Sequence, residues 1–481
     1  MSITDSDTLS LGKRAGKRLC FEAVDSMMSS DAGLLILGQF DEQLGLTKSF
    51  AGALRDPRVA RSGGHSYLEM TRSRVFGIVA DYPDQNDHDA LRADPVFKIL
   101  AGRAPDGEDL ASQPTLSRFE NNIAVDSLNR LRDVFIDQFI ASFPEPPKTI
   151  TLDVDPFDDP THGCQQMTFF HAYYGQYQYL PRLITCAEND LIVMACLLHG
   201  TAWAGLGVED DLLYLVGRLR EAFPGVVIRF RADSGFATPS VYRTCEELDL
   251  IYTIGLKMNP RLVKMSEETL QAAQNRFDET GEPQRTFCVF EYQAKSWAVP
   301  RSVVVKVEVT ICGTNRRAVV TNRPGAFLLP GATYDEYAER GESENRNKEM
   351  KEGFQADRLS DSRYMANLFR LYLHSLAANF LTLLRREVAN PPRRFRTDQD
   401  CPREALAEPD RRRYFNRRRQ EDPLGEGHAC TWRTRLIKVA AEIVVSARRI
   451  LVRLPSSWPY LSHFWAVAET LKTRFPALEF R

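Results

Sequence analysis

Tyr337, Arg340, Glu344 and Lys351 follow one another at steps of three, four and seven in the run YAERGESENRNKEMK. On a helix of 3.6 residues per turn those steps keep all four side chains on one face. One carboxylate then stands among a phenol, a guanidinium and an ammonium. A face of that kind suits an acidic metal ligand beside groups that grip phosphate. The competing reading is a solvated helix face stitched by pairs one turn apart.

Further acids lie upstream. In TLDVD the alternation of a strand sets Leu152 and Val154 on one face and Asp153 and Asp155 on the other. In VVIRFRADSGF a second strand ends at Asp233, just before the Ser234–Gly235 turn. Carboxylates at the C-terminal ends of neighbouring parallel strands can converge where open α/β sheets bind ligands, and Glu344 from a later helix could complete the set. Three carboxylates with little else fit a pair of magnesium ions, which prefer hard oxygen ligands. Two such ions about 3.5–4 Å apart serve phosphoryl transfer by activating a water or 3′-hydroxyl. Any one of these acids has a duller explanation as a turn or cap residue, so their joint occurrence carries the reading. Asp158 and Asp159, beside Pro160, read as turn formers, and His162 as a positioning group.

The elements that must hold these residues can be sketched. Residues 1–145 read as a mostly helical N-terminal region. Within it, SQPTLSRFENN places Pro114 near a helix start and spaces Ser117 and Glu120 as a capping box. Thr115, Ser117 and Arg118 would then stand at a helix N-terminus, which serves equally as a structural start or a phosphate site. From Lys148 three strands follow in meander, then helix, strand, helix, strand. That order implies a mixed α/β sheet with helices on its faces, its first and fourth strands side by side and parallel. Residues 285–322 read as β-rich and form an insertion, at about 280–330, within a unit spanning 146–390. A long buried helix is expected from about Asp361 to Glu387. Residues 391–481 form a basic, helical C-terminal region, with Trp432–Leu454 expected as an amphipathic helix.

Composition narrows the class. Of 481 residues, 43% are hydrophobic and 26% charged, as in a globular protein. Tyr364–Leu384 is broken by Asn367, Arg370, His374 and Asn379, against a membrane span. No apolar leader follows Met1, and nine cysteines lack any CxxC pair, so a reducing, cytoplasmic location is expected and a zinc site is not. Pro391–Leu454 carries 16 Lys and Arg against 9 Asp and Glu, although the whole chain has a net charge of −2. Arg411, Arg412, Arg413, Arg417, Arg418 and Arg419 supply much of that surplus, as a polyanion contact or a solvated linker would.

The ordered set Asp155, Asp233, Glu344 on this strand order resembles the ribonuclease-H-like catalytic domain of DDE transposases. Tyr337, Arg340, Glu344 and Lys351 match the Y-x2-R-x3-E-x6-K signature of insertion-sequence transposases. The segments DVDPFDDPTHGCQQ, RADSGFA, ASQPTLSRFEN and TWRTRLIKVAAEIVVSARRI are similar to the 1380 group of these bacterial enzymes. The resemblance implies Asp155, Asp233 and Glu344 as catalytic metal ligands. Asp153 remains a rival to Asp155, since Phe157 stands where relatives carry a small hydroxyl residue. It also implies two Mg²⁺ ions, replaceable by Mn²⁺, and Tyr337, Arg340 and Lys351 on the DNA backbone near the cut. The expected activity is cut-and-paste transposition of double-stranded DNA, with terminal inverted repeats bound by the N-terminal helices of residues 1–145 and the basic C-terminal segment, hydrolytic cleavage, joining of 3′-OH ends to target DNA, and a homodimer in the DNA complex. The protein would be nucleoid-associated when bound. A catalytically inactive DNA-binding relative, or a ribonuclease-H-like nuclease or resolvase, would share these features.

Overall fold

The strand carrying Asp153 and Asp155 lies inside a ten-stranded mixed sheet. The computed structural model describes residues 8–58, 64–389 and 427–475; the arginines from Arg411 to Arg419 lie outside them. With strands numbered in chain order, β4 (Thr149–Pro156) pairs in parallel with β9 (Val227–Ala232) and antiparallel with β7 (Gln176–Cys186). The strand β8 (Ile192–Leu198) returns beside β7, and β10 (Ile251–Leu256) runs parallel to β9. The first and fourth strands of the predicted series are thus neighbours, as right-handed crossovers through a helix allow.

The β-rich segment extends this same sheet. Strands β11 (Gln284–Tyr292), β12 (Arg301–Thr310) and β13 (Gly313–Thr321) form a meander, and β13 pairs antiparallel with β10. Val303, Val305, Val307 and Val309 bury one face of β12 in the main core, while Val304 joins Val319 and Tyr334 on the other. Both faces are therefore covered, which explains the near-continuous valines.

Helices flank the sheet. Helix α7 (Val125–Ala141) and α8 (Val208–Ala222) pack on one side, and α14 (Tyr364–Val388) crosses the other among the N-terminal helices. The polar residues that interrupt α14 are partnered. Asn379 bonds both backbone groups of Ile192 at 2.8 Å, Asn367 accepts from Asp361 N, and Arg370 meets Glu120. No described helix is long and apolar enough to cross a membrane. His374 is fully buried against the Phe354 carbonyl at 2.8 Å, and burial pushes its pKa down to about 3. Its neutral form belongs to the folded state, so stability is intact above about pH 6.5 and is lost as pH falls towards 3, by up to about 1.4 kcal/mol per unit. Urea titrations at pH 7 and 5 should show this loss, and His374→Gln should flatten the difference.

Two sequence expectations change. Ser112 precedes α6 (Gln113–Asn121), so Ser117 lies inside the helix and caps nothing. Glu120 is buried between Arg74 (2.7 Å) and Arg370 (2.6 Å), tying α6 to α14 and to α3 (Tyr67–Val79). The predicted helix at Trp432–Leu454 is instead one helical turn and a π turn followed by a hairpin, β14 (Ala441–Ser446) and β15 (Arg449–Arg453). β-branched Ile443, Val444 and Val445 favour a strand. The hairpin pairs with β3 (Met27–Ser29) from the other end of the chain. Gly33 lies so close to the Leu436 backbone that a Cβ there would collide with its carbonyl. Two further strands, β1 (Thr8–Arg14) and β2 (Lys17–Glu22), precede β3.

Candidate active site

Asp155 stands at the end of β4, near enough to Asp233 and Glu344 for their charges to act on its carboxyl. Asp233 follows β9 directly and caps the short turn Ser234–Phe236, its Oδ1 accepting from Gly235 N at 2.8 Å. Each acid sits where a parallel strand stops and its backbone turns away, the position at which α/β sheets open a crevice.

The third acid arrives on an interrupted helix. Helix α12 (Pro330–Ala338) packs on β12 and ends at Glu339; α13 (Gly341–Lys348) resumes and widens into a π turn at Glu349–Gly353. Tight bonds from Arg340 N to Tyr337 O (2.9 Å) and from Ser343 N to Arg340 O (2.8 Å) mark the junction. The single continuous face expected for Tyr337 to Lys351 is thus divided among three helical segments. Gly341, a weak helix former, sits at the break.

Arg340 organises the acids. Its Nη2 is 2.8 Å from Glu344 Oε1 and its Nη1 is 3.5 Å from Asp155 Oδ1. Burial and the nearby Asp233 and Glu344 carboxylates raise the Asp155 pKa to about 7, against the pull of Arg340. Tyr337 packs beside Arg340 and its phenol is pushed up by burial. A Cβ at Gly255 would lie 2.6 Å from the Tyr337 hydroxyl and 3.0 Å from Ser234 N, so only glycine lets helix and strand end meet there.

Among the described residues, no three His, Cys, Asp or Glu side chains are placed to hold a metal ion. Arg340 occupies the space between Asp155 and Glu344 as their shared cation. The chemistry of the three acids suits a hard divalent ion: their donors are all oxygen, the site opens to solvent through Glu344 (62% exposed), and two of them already share a cation. Lys351 does not join the guanidinium; its Nζ bonds Asp158 Oδ1 at 2.7 Å. Both line a cavity of about 710 Å³ together with Asp155, Glu344, His162 and Tyr174.

Asp153 faces a different partner. Arg231 grips it with two bonds of 2.6 and 2.7 Å, and both side chains are buried. Arg231 also donates to the Glu336 carbonyl at 2.6 Å and so ties the sheet to α12 just before the break. Asn347, which the sequence reading passed over, donates to Asp155 Oδ2 at 3.0 Å and to Pro156 O. It lies seven residues after Arg340 and three after Glu344, so the same helical spacing contained it. Thr115, Ser117 and Arg118 sit on α6 and line none of this cavity; Arg118 is exposed and bonds Thr115.

Comparison with known proteins gives two findings. The family model described as Transposase DDE domain group 1 matches residues 13–398. The cryo-EM structure of a piggyBac transposase synaptic complex with hairpin DNA aligns at a TM-score of 0.35 and 13% identity, covering 74% of this chain and 75% of that one. A likeness that loose assigns no fold. No curated protein sequence matches the chain.

Proposed function

Because this chain belongs to the transposase DDE domain family, group 1, we propose that it is a cut-and-paste DNA transposase whose catalytic acids are Asp155, Asp233 and Glu344. The finer assignments are a ribonuclease-H-like core, the 1380 group of insertion-sequence enzymes, a homodimer on DNA and a cytoplasmic, nucleoid-associated location. The observation that carries the reading is that Asp155, from a strand end, and Glu344, from a helix, share the Arg340 guanidinium, with Asp233 at the next strand end near enough to raise the Asp155 pKa. Asp155 is preferred to Asp153 because the latter is committed to Arg231.

Two magnesium ions, or manganese in their place, would be held by Asp155, Asp233 and Glu344; when bound they supply an activated water or 3′-hydroxyl and neutralise the leaving oxygen. The chain's own part is positional. Asn347 orients Asp155, Arg231 fixes the helix break, and Arg340 is aimed at the point where a scissile phosphate would enter. A guanidinium freed from carboxylates binds phosphate with the same two-pronged geometry. Tyr337 limits its movement, and Lys351 offers a second cation from the cavity wall.

The test is strand joining. Pre-cleaved terminal-repeat duplexes with free 3′-hydroxyls should be joined to plasmid DNA with Mg²⁺. Cleavage of branched or linear DNA without any joining would point instead to a nuclease or resolvase.

A further inference from the structure

Among the described residues the hairpin of β1 and β2 pairs with no other strand, and its described side chains are exposed. Such a two-stranded ribbon is marginal in water without a partner. Its turn is built from Ala15 and Gly16 at φ +47° and +78°, the left-handed pair that two-residue hairpin loops require. The turn fixes the register at the tip, where Lys13 lies opposite Arg18 and Arg14 opposite Lys17. Like charges directly opposite across a strand pair are destabilising. Here the arrangement occurs twice in succession, and no described acid forms an ion pair with any of the four. Alternation puts Lys13 and Arg18 on one face of the ribbon and Arg14 and Lys17 on the other.

We propose that this hairpin is a DNA-binding arm, separate from the catalytic cavity, whose tip enters a groove of duplex DNA. A two-stranded ribbon fits the major groove, which is about 12 Å wide. Two cations on each face then meet the phosphates of both strands lining the groove, and the same contacts relieve the repulsion across the tip. The occupant is chosen by charge: four cations within six residues, in a chain of net charge −2, select a polyanion. The proposal rests on the DNA-processing reading above, but it uses no residue of the acid cluster.

The experiment measures binding of full-length protein to a mixed-sequence duplex of about 40 base pairs across a salt series. The comparison is wild type against the quadruple variant K13Q/R14Q/K17Q/R18Q. The arm touches none of the core, so the variant's melting temperature should stay within about 1 °C of wild type. The slope of log K against log salt should become shallower by about 3–4, near 0.9 per lost phosphate contact, and affinity at about 0.15 M salt should fall more than tenfold. A folded variant that binds with unchanged slope overturns the arm while leaving the transposase reading standing. An unchanged slope with a shifted oligomeric state would make the hairpin a contact between copies and also overturns it. Wild-type protein with no salt-dependent DNA binding overturns both proposals.

Discussion

Glu344→Gln is expected to lower terminal-repeat cleavage by at least about 10³-fold while leaving DNA binding nearly unchanged. Tenfold in rate is 1.36 kcal/mol, so the variant would lose about 4 kcal/mol of transition-state stabilisation. Glu344 is mostly exposed and its one described partner is Arg340, so the fold has little to lose. Arg340→Gln should separate differently. It removes the charge-assisted contact to phosphate, worth about 1.5–3 kcal/mol, and so weakens binding by tenfold or more. It also frees Asp155 and Glu344 from their internal cation, so Mg²⁺ affinity of the DNA-free protein should rise. Calorimetric titration of Mg²⁺ reads that change without any turnover. If Glu344→Gln and Arg340→Gln weakened DNA binding equally, the division between chemistry and grip would be wrong.

The second large effect concerns the two neighbouring aspartates. Asp153→Ala leaves buried Arg231 with only the longer, 3.5 Å contact to the part-exposed Glu339, and breaking a buried pair costs about 3–5 kcal/mol. Asp155→Asn, two residues on, is expected to melt within a few degrees of wild type and to be inactive. Chemical denaturation of both variants, with a cleavage assay on the folded fraction, distinguishes a structural acid from a catalytic one. A stable, inactive Asp153→Ala beside an active Asp155→Asn would reverse the assignment. The double replacement D153L/R231M should recover most of the stability, because a buried pair contributes little net energy beyond well-packed apolar side chains.

Those parts of the candidate site that obey a local period were legible in the sequence. Asp155 and Asp233 could be placed because strands alternate and because an acid before a turn is visible in the letters alone. Glu344 and Arg340 could be placed because they are one helical turn apart. The pairing of Asp153 with Arg231 joins residues 78 positions apart, and no periodicity connects them. Local spacing also gave no sign that Lys351 turns to Asp158, since the π turn at Glu349–Gly353 shifts the face it would occupy. The stretch after Trp432 misled for a related reason. Its apolar residues fit a helical stripe as well as two short strands, and the deciding partner, β3, lies about four hundred residues earlier. Glu120, placed three residues after Ser117, looked like half of a cap, but burial between two arginines claimed it.

The shared sheet of β3, β14 and β15 has a consequence for synthesis. Ribosomes emit about 5–20 residues per second, so Met27–Ser29 waits roughly 20–80 seconds for the hairpin that covers it. During that interval the bed for Leu436 and Ile437 beside Gly33 stays open. A nascent chain stopped between Glu344 and β14 therefore carries every acid of the cluster yet lacks the strand pairing that closes its helical layer. The layer around Gly33 is thus closed only by the last part of the chain to be made.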